Sequence, residues 1–123
     1  MQLIGHYFLL TTAVLLVTYS NVAIKSRVGA LDRGSDPGFL DLIRNLAADS
    51  LAWSAVAATA VAMLAYLYAI RKIDLSVAQP ALALVFVAVP LAAALFLGEN
   101  LSALRLTGLF VIALGVLIVF LSA

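Results

Sequence analysis

Hydrophobic residues in this chain fall into four long runs separated by short polar punctuations. A helix that spans a bilayer needs about 20 predominantly apolar residues. Leu3 to Ile24, Leu51 to Ile70, Leu75 to Leu97 and Leu101 to Leu121 each have that length and character. The pattern predicts an all-α integral membrane protein, one domain over residues 1–123 with four transmembrane helices and a connector over residues 25–50. The first run is read as a spanning helix and not as a signal peptide. It lacks a basic leader, is too long for a signal core, and runs into Asn21 and Lys25 without a small-residue cleavage site. Inside the connector, Asp36 and Pro37 open a stretch that puts Phe39, Leu42, Ile43 and Leu46 on one helical face. That spacing predicts a short interfacial helix between the first two spans, lying on the headgroups or serving as a gate or partner contact.

The remaining connections are tight. Arg71-Lys72-Ile73-Asp74 joins the second and third spans, and Gly98-Glu99-Asn100 joins the third and fourth. Short connections make sequential helices antiparallel neighbours. Lys25, Arg27, Arg33, Arg44 and Arg105 then fall on one side of the bilayer, and Arg71 and Lys72 on the other. The positive-inside rule places both chain ends outside the cytoplasm, although so small a bias also permits insertion in both orientations.

Composition narrows the function. Hydrophobic residues make up 66% of the chain, charged residues 11%, and the mean hydropathy is +1.20. A soluble domain is about half apolar, and a small fold has too little interior to hide the excess. The solvent for most of this surface is lipid. There is no Cys and a single His, His6, so disulfides, thiolate nucleophiles and a metal constellation are not expected. No cofactor or metal is called for. Acid/base catalysis lacks paired intramembrane carboxylates, so an enzyme is not expected either. A net charge of +1 argues against a nucleic-acid partner.

Small residues mark where helices approach closely in lipid. The second span carries Ala55, Ala58, Thr59 and Ala62 along a stripe that leads to Tyr66. Tyr66 and Tyr68 point to different faces, one available to a cavity and the other to the interfacial aromatic belt. In the third span Gln79 precedes Pro80, and Pro90 follows ten residues later. A proline frees a backbone carbonyl and bends the axis, which membranes tolerate where the break is buried or lines a cavity. Gln79 is therefore a candidate substrate contact, with an interhelical hydrogen bond as the alternative. Asn21 and Lys25 are one turn apart on one face of the first span. Lys25 either snorkels to the headgroups or faces a cleft. In the fourth span Gly108 and Gly115 lie two turns apart on one face with Ala113 between them, a face suited to close contact with another helix.

These residues resemble a known group. Four helices, Gly98-Glu99 and the stretch Gly108 to Val116 are similar to the small multidrug resistance proteins within the drug/metabolite transporter (EamA-like) superfamily. A closer similarity is to the small flippase subunits that move aminoarabinose-phosphoundecaprenol across the bacterial inner membrane. Met63 to Pro80, ending Ala78-Gln79-Pro80, resembles their helix 2 aromatic followed by Ala-Tyr-Pro, and Ser20-Asn21 with Lys25 resembles their Gly-Gln with a following lysine. The resemblance covers the first span and residues 51–123 and leaves the connector unmatched. Two positions depart from it. Gln79 replaces the flippase tyrosine, and Val17 stands where the multidrug exporters carry their proton-coupling glutamate.

The resemblance implies a multi-pass inner-membrane transporter or flippase of a polyprenyl-phosphate glycolipid, working as a homodimer or as a heterodimer with a related four-helix subunit. Asn21, Lys25, Tyr66, Gln79 and Glu99 are the candidate substrate-binding residues, and Gly108, Ala113 and Gly115 the candidate dimer interface. Two other functions remain in view. One is a small-cation or metabolite exporter, which a carboxylate in the first span would favour and which this span lacks between Leu3 and Ile24. The other is a non-transporting accessory subunit that stabilises another membrane assembly.

Overall fold

The structure, a computed structural model, describes residues 1–34 and 36–123. Its helices are α1 (Gln2–Leu31), α2 (Phe39–Ala47), α3 (Ser50–Ala69), α4 (Leu75–Leu82), α5 (Val85–Leu97) and α6 (Ala103–Ser122). Four helical segments are long and apolar enough to cross a membrane: α1, α3, α4 with α5 taken together, and α6. Among the described residues every regular element is helical, in agreement with the all-α expectation.

α1 does not stop where the apolar run stops. It continues through Lys25 to Leu31, so seven residues expected in the connector are helical. Nothing from Lys25 to Leu31 forbids this, since the segment has no proline and its one glycine, Gly29, meets no crowding. Thirty residues make a helix about 45 Å long, well beyond the roughly 30 Å of a bilayer core. The surplus projects on the side of residues 25–50. An ion-pair contact holds it there, with Arg27 Nε 3.1 Å from Asp49 Oδ2. Asp49 also caps α3, its Oδ1 accepting from the Leu51 N–H at 2.9 Å, so one side chain ties the end of α1 to the start of α3.

The short amphipathic helix forms where the spacing placed it. α2 begins after Gly38, whose carbonyl accepts from Leu42 N–H, and it lies against α1 and α3. Ile43, Leu46 and Ala47 line one pocket with Ile24, Ala52 and Val56, Leu46 being half-buried, while Phe39, Leu40 and Ile43 are exposed. Trp53, the single tryptophan, donates its Nε1–H to the Ala47 carbonyl at 2.7 Å and so pins the end of α2 to α3.

α1 is the central element, packing most extensively on α3 and then on α5, while α6 rests on α4 and α5. The α1–α3 seam is lined by small side chains. Ala52, Ala55 and Ala62 of α3 and Ala13, Ser20 and Ala23 of α1 are all buried, Ala55 at 0% exposure, while Ala69, also at 0%, clusters with Leu10 of α1. The expected stripe of Ala55, Ala58, Thr59 and Ala62 is thus shifted, with Ala52 and Ala69 inside and Ala58 half-buried. Hydroxyls add to it: Ser20 Oγ lies 2.8 Å from the Ala55 carbonyl oxygen and 2.7 Å from Thr59 Oγ1, and Tyr19 Oη lies 2.9 Å from Ser54 Oγ.

The third span is interrupted after Pro80, not at it. Ala83 and Leu84 separate α4 from α5, with dihedrals near −60° and −20° that tighten the chain into a 3₁₀ turn. Bonds from Ala83 N–H to Pro80 O and from Leu84 N–H to Ala81 O span three residues each. Pro80 has no N–H for the Ser76 carbonyl, and the chain recovers its bonding one turn later. Pro90 lies inside α5 without interrupting it.

Candidate functional site

A cleft of about 580 Å³ lies between α1, α5 and α6 at the end where α1 projects. Asn21, Val22 and Lys25 line it from α1, Glu99 and Leu101 from the α5–α6 turn, and Arg105, Gly108, Leu109 and Ile112 from α6. Val89, Pro90, Ala93 and Leu97 of α5 complete the wall.

Local structure explains why the polar members converge. Asn21 and Lys25 are one turn apart on α1, and the Asn21 amide is fixed by donating to the Val17 carbonyl at 2.9 Å. Gly98 ends α5 in the left-handed region at φ 68°, a conformation that glycine adopts without strain, and this turns Glu99 toward the cleft. Ser102 caps α6, its Oγ accepting from the Arg105 N–H at 3.2 Å, which sets Arg105 in the first turn facing the same space.

Two cations therefore share the cleft with one carboxylate. Among the described residues the ion pair formed is Arg27 with Asp49, so Lys25, Arg105 and Glu99 lie more than 4.0 Å from any opposite charge. The N-terminus of the 20-residue α6 adds about half a positive charge at the same end. The cleft thus combines a net positive charge at one end with an apolar wall.

The structure brings together three of the five expected substrate residues: Asn21, Lys25 and Glu99. Tyr66 and Gln79 are elsewhere. Tyr66 is 8% exposed within a cluster of Leu10, Ala69, Ile73, Val77, Ala78 and Ala81, and Gln79 Nε2 donates to its hydroxyl at 2.7 Å. The pair takes the alternative role anticipated for Gln79, an interhelical hydrogen bond. Of the two prolines, Pro90 reaches the cleft wall and Pro80 does not. Gly108 lines the cleft, Gly115 is exposed further along α6, and Ala113 is half-buried; neither glycine has a neighbour within 4 Å of where a Cβ would stand.

Arg105 is the functional candidate that sequence reading passed over, having counted it only toward topology. Its signal is the Ser102 cap three residues earlier, which forces the helix start and places the arginine beside the Glu99 turn.

Residues 8–121 match the EamA-like transporter family. The chain belongs to that family. Membership places it in the drug/metabolite transporter superfamily, among multi-pass membrane transporters and not among known enzyme families. The match runs through the 25–50 connector, which the resemblance read from the sequence had left unmatched. No curated protein and no solved structure matches the chain.

Proposed function

We propose that this EamA-like transporter moves a polyprenyl-phosphate-linked sugar between the leaflets of the bacterial inner membrane. The observation that carries the reading is the pairing of two unneutralised cations, Lys25 and Arg105, with an apolar wall in one cleft. In this reading Lys25 and Arg105 hold the phosphate, Asn21 and Glu99 offer hydrogen bonds to sugar hydroxyls, and Val89, Ala93, Leu109 and Ile112 accept the first isoprene units. A phosphate 4 Å from one cation gains about 4 kcal/mol at an effective dielectric of about 20, against about 1 kcal/mol in water.

The cleft is only partly enclosed. A second copy, or a related four-helix subunit, closes it in this reading by docking on the glycine face of α6, where Gly115 has free space. Export of a small cation is the second reading, favoured by Glu99 in the cleft. One carboxylate against two cations and a helix N-terminus argues for an anion instead.

Reconstituted protein in liposomes carrying a labelled polyprenyl-phosphate sugar tests the proposal. Lys25→Arg is expected to retain translocation and Lys25→Gln to lose most of it. Equal rates for both and the parent would return Lys25 to a headgroup anchor.

A further inference from the structure

A second basic pocket occupies the opposite end of the molecule. It measures about 400 Å³ and is lined by Gln2, Gly5, His6 and Leu9 of α1, Tyr68 of α3, and Arg71 and Lys72 of the following turn. From His6 to Lys25 along α1 is about 28 Å at 1.5 Å per residue, close to the thickness of a bilayer core of about 30 Å. When the cleft lies at one headgroup layer, this pocket lies at the other.

Its polar groups are ordered by one aromatic ring. The His6 imidazole stacks on Tyr68 with centroids 5.6 Å apart and planes within 12°, and the Arg71 guanidinium carbon stands 5.2 Å from the centroid of the same ring. Holding Arg71 on the ring fixes its position while its N–H edges remain available. His6 Nδ1 lies 2.6 Å from the Gln2 carbonyl oxygen, which only accepts, so Nδ1 carries the proton and Nε2 is the nitrogen left for a ligand. Lys72 adds a third basic group. No carboxylate lines the pocket, and among the described residues Arg71 and Lys72 have no ion-pair partner.

We infer that this pocket binds the phosphate of an anionic lipid in the leaflet opposite the Lys25 cleft. Arg71 and Lys72 supply the charge, and His6 Nε2 either accepts the P–OH of a monoester or, as imidazolium, donates to a phosphate oxygen. Generic snorkelling of basic residues toward headgroups needs no pocket, no stacked platform and no oriented imidazole. The site stands on its own residues and does not depend on the identity of the translocated substrate. Two sources offer the same chemistry: a resident anionic phospholipid, or a polyprenyl phosphate.

The chain has one histidine, so ring-¹⁵N-histidine labelling gives one imidazole signature at the site. Full-length protein in nonionic micelles is titrated separately with dihexanoyl phosphatidic acid, undecaprenyl phosphate, dihexanoyl phosphatidylcholine and inorganic phosphate. A saturable His6 shift with one or both anionic lipids, and none with phosphatidylcholine, is expected; the tighter of the two anionic lipids names the source. Arg71→Gln and Lys72→Gln, both exposed and checked for unchanged helix content, are each expected to weaken binding about tenfold, as loss of a charge-assisted bond implies. Lys25→Gln is expected to leave this titration unchanged, which separates failure here from failure at the cleft. A shift that never saturates, equal binding of phosphatidylcholine, or parental affinity in both variants overturns the inference. Equal affinity for inorganic phosphate overturns the assignment to a lipid.

Discussion

Removing the hydroxyl of Tyr66 separates a structural role for Gln79 from a substrate-binding one. Tyr66 is buried and its hydroxyl accepts from the Gln79 amide at 2.7 Å, bridging α3 to α4. Tyr66→Phe keeps the ring in its cluster and deletes only this bond. Interhelical hydrogen bonds in membranes average about 0.6 kcal/mol and reach about 1.7 kcal/mol. A short bond with a buried acceptor belongs in the upper half, so the expected loss is about 1 kcal/mol, or about fivefold in the unfolding equilibrium. Gln79→Leu is expected to cost a similar amount, and the double variant little more than either single one. That leaves a coupling energy of about 1 kcal/mol in the cycle. Unfolding in mixed nonionic and dodecyl sulfate micelles provides the assay, followed by energy transfer between dyes on cysteines introduced in α1 and α3. The absence of native cysteine keeps the labelling clean. A coupling within about 0.2 kcal/mol of zero, together with lost lipid binding in Gln79→Leu, would refute the structural reading.

Other perturbations follow from the packing. Ser20 and Thr59 have one proton each for three contacts, among themselves and with the Ala55 carbonyl, so Ser20→Ala leaves Thr59 bonded to that carbonyl and is expected to cost no more than about 1 kcal/mol in the same assay. Ala55→Leu forces new atoms into a seam with no exposure and is expected to cost about 3 kcal/mol or to abolish folding, which loss of the unfolding transition would report. Gly115→Leu, placed away from the cleft, is expected to separate protomers in membrane crosslinking; an unchanged dimer would move the interface off this face of α6. In proteoliposomes, ethidium uptake is expected to be indifferent to an imposed pH gradient, because α1 offers no carboxylate at Val17; gradient-driven uptake would contradict this.

Long-range placement was the illegible part of this sequence. Spans of 20 or more apolar residues announce themselves because lipid admits little else, and Asn21 and Lys25 share a face by helical period alone. α2 was legible from the same helical period, its apolar positions Phe39, Leu42, Ile43 and Leu46 repeating over about two turns. The end of α1 was not, because Lys25 to Leu31 is polar enough to resemble a connector and its contact partner, Asp49, lies more than twenty residues away. Gln79 reads in the sequence as a substrate contact or an interhelical hydrogen bond, because a proline break suggests a cavity, and its bond to Tyr66 is the second of these. The interruption of the helix falls at Ala83 and Leu84, and the proline that meets the cleft is Pro90. Arg105 belongs to the site through the Gly98 turn and the Ser102 cap, which are local signals, but its proximity to Lys25 is a tertiary fact that no local pattern carries.

Lipid mass spectrometry of protein purified in mild detergent tests the central claim most directly, comparing the parent with Lys25→Gln and Lys25→Arg. With Arg71→Gln present in all three to empty the His6 pocket, the cleft account predicts a polyprenyl-phosphate lipid bound to the background protein and to Lys25→Arg, and depleted about tenfold or more in Lys25→Gln, since a charge-assisted bond is worth about 1.5–3 kcal/mol. Full retention of that lipid in Lys25→Gln, with folding and insertion intact, would contradict the role of Lys25 and with it the anionic substrate.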